Sequence, residues 1–351
     1  MLRVLIVDDS ATARLALRHA IEQDPQLIVV GEADNGADAL ALARRHRPDV
    51  ITMDVIMRHE NGIDAAAAIM SEAPCPIVIV TACDTSDARL AYRALQAGAL
   101  DVLPKLPARQ ASDYGDRVRE LQRLLRNVAQ IPVVHRRRTG AERPPPHAPG
   151  VRRLVAATPK VVVIGASTGG PVRVRELLAA LPSTVPVPIA LAQHIARGFG
   201  RGLAAWLADT TGKQTRYVDQ RLRLMPGTVY VAPDDGDLAI DGMLFGNPQP
   251  PCSAPGTPNV DVLFRSAAAA LGPSVVAVLM TGMGSDGAAG ARALHELGAT
   301  TLVQEPSTCT VSAMPDAAIQ AGAASAVLKP AEIPVALARL LLERMSPHGR
   351  H

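Results

Sequence analysis

VVVIGASTGGP, at residues 161–171, decides the fold of the second half of the chain. A short β-branched run, typical of a buried strand, leads directly into a glycine-rich turn. Ser167 stands between Gly165 and Gly169 in a G-x-S-x-G arrangement, whose small neighbours permit a sharp passage from strand to helix. Such a turn presents a serine hydroxyl beside the amides that open the helix, but it can equally hold a dinucleotide pyrophosphate. The turn alone leaves both interpretations open.

Apolar runs recur on both sides of this turn. From Lys160 onward they alternate with helical segments as far as a terminal helix near residues 333–345, and a similar alternation extends from Arg3 to about Leu106. In the later region the expected strands are VVVIG, VPIALAQ, TVYVAP, LAIDG, VVAVLM and TTLVQ. This rhythm is typical of parallel sheets covered by helices. We therefore predict an α/β fold with two doubly wound parallel-sheet domains.

A stretch without apolar periodicity separates the two regions. A helix is expected at about residues 112–128, and residues 129–157 then hold RRR, PPP and little that could pack in a core. This composition predicts a flexible interdomain linker, although its basic residues could instead aid docking to an acidic partner. The predicted domains are therefore residues 1–128 and 158–347.

The composition limits the classes of function. With 351 residues, 48% of them hydrophobic and 20% charged, the chain can bury two ordinary cores. Aromatic residues make up only 2%, so the stacking platforms of single-stranded nucleic-acid binders are missing. The formal net charge of +3 is small, and the excess arginine gathers in the predicted linker. We therefore expect no nucleic-acid partner.

The cysteines and the apolar runs favour a cytoplasmic location. The four cysteines form no C-x-x-C pair, which fits a reducing compartment and predicts neither a disulfide framework nor a zinc site. The opening MLRVLIVDDS reaches acidic residues too early for a signal peptide. No stretch has the roughly 20 uninterrupted apolar residues of a membrane span, so we expect no direct membrane insertion.

Acidic residues follow two strands of the first predicted sheet. Asp8 and Asp9 end the first apolar run, and Asp54 ends the third. The carboxyl ends of parallel strands meet at one sheet edge, where ligands bind. Converging carboxylates are costly unless a hard cation such as Mg²⁺ binds their oxygens, and a carboxylate can itself accept phosphate. Thr81 and Lys105 also follow strands and would offer a hydroxyl and an ammonium group to phosphoryl oxygens.

Taken singly, these residues have a simpler explanation, since Asp or Thr after a strand commonly caps the next helix. Taken together, VDDS, MDVIM, Gly62, VTA and the region of Lys105 make residues 1–128 resemble a response-regulator receiver domain. The resemblance implies a flavodoxin-like fold, phosphorylation of Asp54 and Mg²⁺ bound by the three carboxylates.

Three positions depart from the usual receiver pattern. Arg58 stands where proline is usual, Val102 replaces a common aromatic residue, and Leu106 follows Lys105 in place of proline. A cis peptide bond before Leu106 would cost about 2.5–4 kcal/mol without proline, so this loop is expected to be arranged differently. Phosphoacceptance by Asp54 is expected, whereas an aromatic switch is not.

A nucleophilic Ser167 needs a base, and His194 is the best placed of the nine histidines because it ends the apolar run VPIALAQ. Asp286 lies beyond another apolar run, in LMTGMGSDGAAG, where a flexible loop could bring its carboxylate to the far imidazole nitrogen. A helix-capping or half-buried His194 and a turn role for Asp286 are the simpler alternatives. The order Ser, His, Asp differs from that of α/β-hydrolases, so another doubly wound fold is expected.

Further motifs make the second half of the chain similar to a known family. After GASTGGP come AQHIARGF, VYVAPDD, NVDVLFRSAA, MTGMGSDGAAG and VQEPSTCTVSAMP, in that order. Together they make residues 158–347 resemble the catalytic domain of the CheB family of protein-glutamate methylesterases. The resemblance implies a Rossmann-like fold and a catalytic triad of Ser167, His194 and Asp286. It also implies an oxyanion bound by backbone amides near Met283 and Thr168.

The resemblance also implies a function. CheB-family enzymes remove methyl groups from glutamate methyl esters on the cytoplasmic helices of methyl-accepting chemoreceptors, often deamidate glutamine there, and so give sensory adaptation in chemotaxis. Ester hydrolysis would need no cofactor, while a CheA-like histidine kinase would phosphorylate Asp54 and thereby uncover the Ser167 cleft. Two other classes stay open. They are a catalytically silent, phosphorylation-dependent binding module and a regulator with a nucleic-acid-binding output, for which no helix-turn-helix is visible.

Overall fold

In a computed structural model, the chain forms two compact units, Met1–Gly140 and Ala141–His351. The division falls inside the segment expected to be a linker. Most of that segment, Arg58 and two of the four cysteines lie outside the described residues, and the exact domain boundaries stay predictions. The structure describes residues 1–57, 61–82, 85–131, 157–251 and 257–342, with the backbone alone at 85–89 and 342.

The first unit alternates strands and helices along its described residues. Its elements are β1 (Leu2–Val7), α1 (Ala11–Glu22), β2 (Leu27–Ala33), α2 (Gly36–His46), β3 (Val50–Met53), α3 (Gly62–Glu72), β4 (Ile77–Thr81), α4 (Thr85–Ala97), β5 (Asp101–Pro104) and α5 (Tyr114–Val128). The strands form a parallel sheet in the order β2-β1-β3-β4-β5. This is the flavodoxin-like order, which opens a crevice outside the carboxyl ends of β1 and β3, and the predicted fold is confirmed.

Local sequence explains where these elements begin and how they pack. The apolar residues of β1 from Val4 to Val7 are buried, as expected for a strand covered on both faces. Three helices begin at side-chain caps, since an oxygen of Ser10, Asn35 or Asn61 accepts from an amide in the first turn of α1, α2 or α3. The caps satisfy amides that a helix start otherwise leaves unpaired.

The second unit is also built from alternating strands and helices. Its elements are β6 (Val161–Ala166), α6 (Gly170–Ala180), β7 (Ile189–Gln193), α7 (Gly200–Thr211), β8 (Gln214–Tyr217), β9 (Leu222–Arg223), β10 (Thr228–Val231), β11 (Asp237–Ile240), β12 (Phe245–Gln249), α8 (Val260–Leu271), β13 (Val275–Leu279), α9 (Ala288–Glu296), β14 (Thr300–Gln304), α10 (Ala313–Gln320), β15 (Ala326–Leu328) and α11 (Ile333–Leu342).

Seven of these strands form one parallel sheet in the order β15-β14-β13-β6-β7-β10-β8. From β6 the chain builds outward through β7 to one side, and it later returns to β13 and builds to the other side. The strand order therefore reverses between β6 and β13, and the predicted doubly wound sheet is confirmed. Ligand sites of such sheets lie outside the carboxyl ends of the strands at this reversal.

The prediction for LAIDG was wrong in one respect. This run was expected to continue the parallel alternation, but its strand β11 pairs antiparallel with β12 in a separate sheet of order β11-β12-β9. The reason is the turn that follows, in which the Asp241 carboxylate accepts from the amides of Met243 and Phe245. A connection this short can join antiparallel strands, whereas a parallel crossover needs a dozen or more residues.

Aliphatic side chains dominate the core of the second unit. On the sheet, Val163, Ala277 and Val303 are buried, and α8 adds Leu263 and Phe264 to the same cluster. A core of this kind follows from a composition with few aromatic residues. In the part of the chain that the structure describes, no helix is both long and apolar enough to cross a membrane.

Candidate active site

Ser167 stands in the turn between β6 and α6, where the strand order of the second sheet reverses. Gly169 has a φ of +75°, and a Cβ added there would lie 2.3 Å from Thr310 Oγ1. The Ser167 amide donates to the Thr281 carbonyl over 3.0 Å. The turn therefore depends on glycine at position 169, because a side chain would meet both an unfavourable backbone angle and a neighbouring threonine.

His194 follows β7, the strand beside β6, and the ladder between them sets its distance from Ser167. Ala166 is paired with Gln193, and the His194 amide donates to the Ala166 carbonyl over 2.9 Å. As a result, His194 Nδ1 lies 3.1 Å from Ser167 Oγ. Its Nε2 lies 2.7 Å from Oδ2 of Asp286. The two imidazole nitrogens thus face a hydroxyl and a carboxylate.

Asp286 lies in the loop between β13 and α9, and donors surround its carboxylate. Oδ2 accepts from the Val260 amide over 2.7 Å, and Oδ1 accepts from the amides of Asp261 and Gly287, each over 2.9 Å. Burial raises the pKa of Asp286, but the hydrogen bond and charge of His194, together with the amides, outweigh it and hold the pKa below its usual value. The carboxylate is therefore ionised at neutral pH.

The two residues expected to support an oxyanion lie beside this serine. Thr168 follows Ser167 and is buried, and its carbonyl accepts from the Thr281 hydroxyl over 3.0 Å. Met283 follows Gly282, where an added Cβ would lie 2.6 Å from Ser167 Cβ. The loop that carries Met283 therefore packs directly against the serine side chain. Oxyanion binding by either residue stays a prediction.

In the first unit, the five residues predicted from the strand ends come together. One oxygen from each of Asp8, Asp9 and Asp54 lies within 4.8 Å of the others. Lys105 Nζ lies 2.8 Å from Asp8 Oδ2 and 2.6 Å from Asp54 Oδ2. The Thr81 hydroxyl donates to Asp54 Oδ1 over 2.9 Å. A hydroxyl and an ammonium group thus flank the carboxylate that is expected to accept phosphate.

Burial, together with neighbouring charges, sets the pKa of Asp8 at this edge. Burial raises the pKa of Asp8 above its usual value and the Asp54 charge adds to the rise, although Lys105 and the Ser10 amide oppose it. Burial also lowers the pKa of Lys105, but the two carboxylates more than reverse this effect. A divalent cation would relieve the crowding, and carboxylate oxygens are the ligands that Mg²⁺ prefers. The residues present therefore fit the magnesium ion that a receiver domain implies.

The departures from the receiver pattern leave this cluster intact. Val102 is buried in β5, and the peptide bond before Leu106 is trans, yet Lys105 still contacts both carboxylates. Gly62 is required where it stands, because an added Cβ would lie 2.0 Å from the Asp54 carbonyl oxygen. The predicted influence of Arg58 lies outside the described residues.

Comparison with known proteins gives the family. Residues 162–337 match the family described as CheB methylesterase, and residues 4–111 match the response regulator receiver domain. A protein of Anaeromyxobacter dehalogenans named protein-glutamate methylesterase/protein-glutamine glutaminase 3 is 43% identical over 342 residues, covering 94% of this chain and 96% of that protein. The chain belongs to the CheB methylesterase family.

Two further comparisons extend the likeness of this CheB-family chain. Protein-glutamate methylesterase/protein-glutamine glutaminase 4 of Myxococcus xanthus is 39% identical over 332 residues, which cover 93% of each chain. The crystal structure of the Thermotoga maritima CheB methylesterase catalytic domain is 34% identical, with a TM-score of 0.51, and covers 52% of this chain and 100% of that one. The likeness thus includes both sequence and fold.

Two buried polar residues of the CheB-family site were not among those expected from sequence. Gln193 Nε2 donates to the carbonyls of Ser167 and His194 over 2.8 and 3.0 Å. The Thr281 hydroxyl, which donates to the Thr168 carbonyl, accepts from the Val311 amide over 3.0 Å. Each residue closes an otherwise apolar run, Gln193 in IALAQ and Thr281 in VVAVLMT. That position is the sequence feature by which both could have been predicted as site residues.

Proposed function

We propose that this chain hydrolyses glutamate methyl esters on the cytoplasmic helices of chemoreceptors, and deamidates glutamine there, under the control of receiver phosphorylation. The observation that carries the proposal is the continuous contact of Ser167, His194 and Asp286 at the strand-order reversal of a CheB-family chain. Both reactions are acyl transfers to water and differ in the leaving group, which is methanol for the ester and ammonia for the amide.

In the first half of the reaction, Ser167 is the nucleophile and His194 the general base. The serine hydroxyl donates its proton to Nδ1, and Oγ attacks the glutamyl carbonyl carbon. When the tetrahedral intermediate collapses, the carbon–oxygen bond to the methoxy group breaks and Nδ1 returns the proton to form methanol. An acyl-enzyme then remains on Ser167, and water attacks it in the same way to release glutamate.

Asp286 keeps the imidazole in the orientation and tautomer that this proton transfer needs. Its Oδ2 accepts from Nε2, so Nδ1 carries the lone pair that faces Ser167. The ionised carboxylate also stabilises the imidazolium formed during attack. The protein groups that hold Asp286 therefore act indirectly on the reacting serine.

Backbone amides near Met283 and Thr168 are the proposed oxyanion donors. Support for this assignment comes from Gly282, which packs closely on the Ser167 side chain and directly precedes Met283. Loss of one such donor typically lowers the rate by on the order of 10²–10³. The Thr168 hydroxyl is a further candidate for this role.

The first unit supplies the proposed control. A CheA-like histidine kinase would transfer a phosphoryl group to Asp54, with Asp8, Asp9 and Asp54 holding Mg²⁺ and with Thr81 and Lys105 contacting the phosphoryl oxygens. Held by these carboxylates, Mg²⁺ would supply positive charge to offset that of the phosphoryl oxygens. We expect phosphorylation to relieve inhibition of the Ser167 cleft by the receiver.

Methanol release from methylated receptor membranes tests both parts of the proposal. The full-length wild type is compared with Ser167→Ala and Asp54→Asn, each with and without Mg²⁺ and a small-molecule phosphodonor. Ser325→Ala is a matched control, because the Ser325 hydroxyl lies 3.2 Å from His295 Nδ1 but directly precedes β15, at the sheet edge opposite Ser167. We expect release to require Ser167, to be unaffected at Ser325, and to rise with phosphodonor only when Asp54 is present.

Three other outcomes would change the proposal. Release by Ser167→Ala at the wild-type rate would exclude the serine mechanism. Release that needs Ser167 but ignores the phosphodonor would keep the hydrolase and remove the proposed control. No release from any receptor preparation by the wild type would favour a phosphorylation-dependent binding module.

A further inference from the structure

The motif NVDVLFRSAA, which the reaction steps above do not use, opens helix α8 directly against the catalytic carboxylate. The first two amides of α8, those of Val260 and Asp261, donate to Asp286 over 2.7 and 2.9 Å. The helix has twelve residues, so its amino-terminal end carries a substantial partial positive charge. Asp286 therefore occupies the anion position of a helix start, although it belongs to a different loop.

A buried polar cap holds this helix start in shape. Asn259 Oδ1 accepts from the Val262 amide over 3.0 Å, and the Asn259 amide donates to Asp237 Oδ1 over 2.6 Å. Asn259 is 3% exposed and Asp237 is 1% exposed. Asn259 is therefore held on both sides by buried hydrogen bonds. Together they fix the backbone at the start of α8, where the helix meets Asp286.

Close packing fixes the same turn relative to the nucleophile. A Cβ added at Gly165, in strand β6, would lie 2.2 Å from Val260 Cγ1, and one added at Gly287 would lie 2.7 Å from the same atom. Val260 is therefore wedged between the strand that leads to Ser167 and the loop that carries Asp286. The start of α8 cannot move without disturbing both.

The starts of helices α8 and α9 are joined by reciprocal hydrogen bonds from backbone amides to carboxylates. Asp286, just before α9, binds the start of α8, and Asp261 of α8 accepts from the Gly290 amide of α9 over 2.6 Å. The ionisable side chains that face Asp286 from the packed elements are His194 and Asp261. Asp261 in turn lies 3.8 Å from Arg265. Burial raises the pKa of Asp261, and the Asp286 charge contributes to the rise.

We propose that the amino-terminal turn of α8, capped by Asn259, positions Asp286 for catalysis by donating two amides to its carboxylate, while the Asp261 carboxylate places an opposing negative charge beside it. The inference rests on the proposed hydrolase function and deepens it. Asn259 affects His194 only indirectly, through the start of α8 and then Asp286. Asn259 is therefore a positioning residue and not a catalytic one.

Loss of the cap has a consequence that general instability does not share. Without the Asn259 oxygen the first turn of α8 loosens, and Asp286 loses the amides of Val260 and Asp261, which add to the larger effect of His194 in lowering its pKa. The acid limb of the pH–rate profile reports protonation of the general base His194, and it then moves to higher pH because a carboxylate with fewer donors stabilises the imidazolium more strongly. Because these residues lie behind the triad, kcat falls and KM changes little.

The first set of variants tests the cap. Asn259→Ala is expected to lower kcat about tenfold, the scale of a small misplacement of a catalytic group, and to move the acid limb to higher pH. Asn259→Ser should restore both, because serine caps helices as well as asparagine does. Asn35→Ala is the matched control, since Asn35 caps α2 of the first unit through the same kind of bond, accepting from the amide three residues on, that of Asp38, over 2.8 Å.

A second variant keeps the inference testable if loss of the cap prevents folding. Asp261→Asn keeps a carbonyl oxygen for the Gly290 amide but removes the charge beside Asp286. It should therefore move the acid limb to lower pH, opposite to Asn259→Ala. Damage to the fold alone would not give shifts of opposite sign.

A measurement that does not depend on turnover separates this inference from the proposed function. The carboxyl ¹³C titration of Asp286 in the full chain, assigned by its absence in Asp286→Asn, should have a higher midpoint in Asn259→Ala and a lower one in Asp261→Asn. Unchanged midpoints with an unchanged pH–rate profile would overturn the inference. If the wild type released no methanol, the proposed function would fail, and the NMR midpoints would still decide whether α8 controls Asp286.

Discussion

At the carboxyl edge of the first sheet, Asp8, Asp9 and Asp54 crowd together and share one ammonium group between two of them, whereas at the same edge of the second sheet four donors surround the Asp286 carboxylate. The pKa of Asp8 is raised, chiefly by burial, while the pKa of Asp286 is lowered despite burial. The two sites therefore differ in what surrounds a carboxylate, not in where the fold places it.

The difference matches the proposed chemistry of each site. A crowded cluster gains from a divalent cation or a phosphoryl group, which changes its charge and can act as a signal. A carboxylate with four donors has no need of a cation and is suited to orient one imidazole throughout a reaction. The same sheet edge thus supports a switch in one unit and a fixed catalytic group in the other.

Removal of the negative charge of Asp286, the carboxylate of the donor-rich site in the second unit, should have the largest effect on kcat. In Asp286→Asn, one carboxylate oxygen becomes an amide nitrogen, which must face either His194 or the amides of Asp261 and Gly287. We expect kcat for methanol release to fall by on the order of 10³–10⁴, because the imidazole loses its preferred tautomer. Asp241→Asn is the control, since Asp241 also accepts from two backbone amides but lies in a hairpin. Equal rates for these two variants would contradict the assignment.

A smaller effect is expected when the donor-rich site loses Gln193. Gln193→Met keeps the length of the side chain but removes the amide that joins the carbonyls of Ser167 and His194. We expect kcat to fall by about 10- to 100-fold with little change in KM, because base and nucleophile lose a side-chain bridge that supports the strand ladder in holding them. Steady-state kinetics would compare it with Gln122→Met, which removes a similar bond to the Ala20 carbonyl in the first unit. A loss confined to KM would argue for substrate binding instead.

The smallest effect concerns the free energy of unfolding. Its change with pH should have opposite signs for the contributions of Asp8 and Asp286. Because the pKa of Asp8 is raised by folding, its ionisation opposes folding, and the first unit should lose stability as pH rises through the carboxyl range. Asp8→Asn should flatten this decline, with a change on the order of 1 kcal/mol. Because the pKa of Asp286 is lowered, its contribution should instead be lost as pH falls.

Urea titrations from pH 3 to 7, read by pulse-labelling hydrogen exchange of peptides from each unit, would measure both trends in the full chain (roughly the range over which carboxyl groups titrate). Asp49→Asn serves as the control in the first unit, because Asp49 accepts from the Arg3 amide outside the cluster. The same pH trend in both units would mean that the surroundings of these carboxylates do not set their energies.

Much of the fold could be predicted because strand ends and turns are local features. Apolar runs and the residues that close them located the edges of both sheets, and the three residues of the proposed triad came together as expected. LAIDG was misplaced because a strand's partner and direction depend on the following turn, not on its own pattern. Gln193 was missed because a glutamine at a strand end is as compatible with solvent as with a buried bridge.

The sequence by itself determined the α/β class, the family resemblance and the identity of the polar residues at the strand ends, because each follows from short-range patterns. Only the tertiary structure decided the electrostatic character of each carboxylate. Asp8 and Asp286 both follow apolar runs, yet one meets other carboxylates and the other meets the start of α8, which lies 26 residues earlier in the chain. Burial and charge depend on what packs against a group, and those neighbours come from distant parts of the sequence.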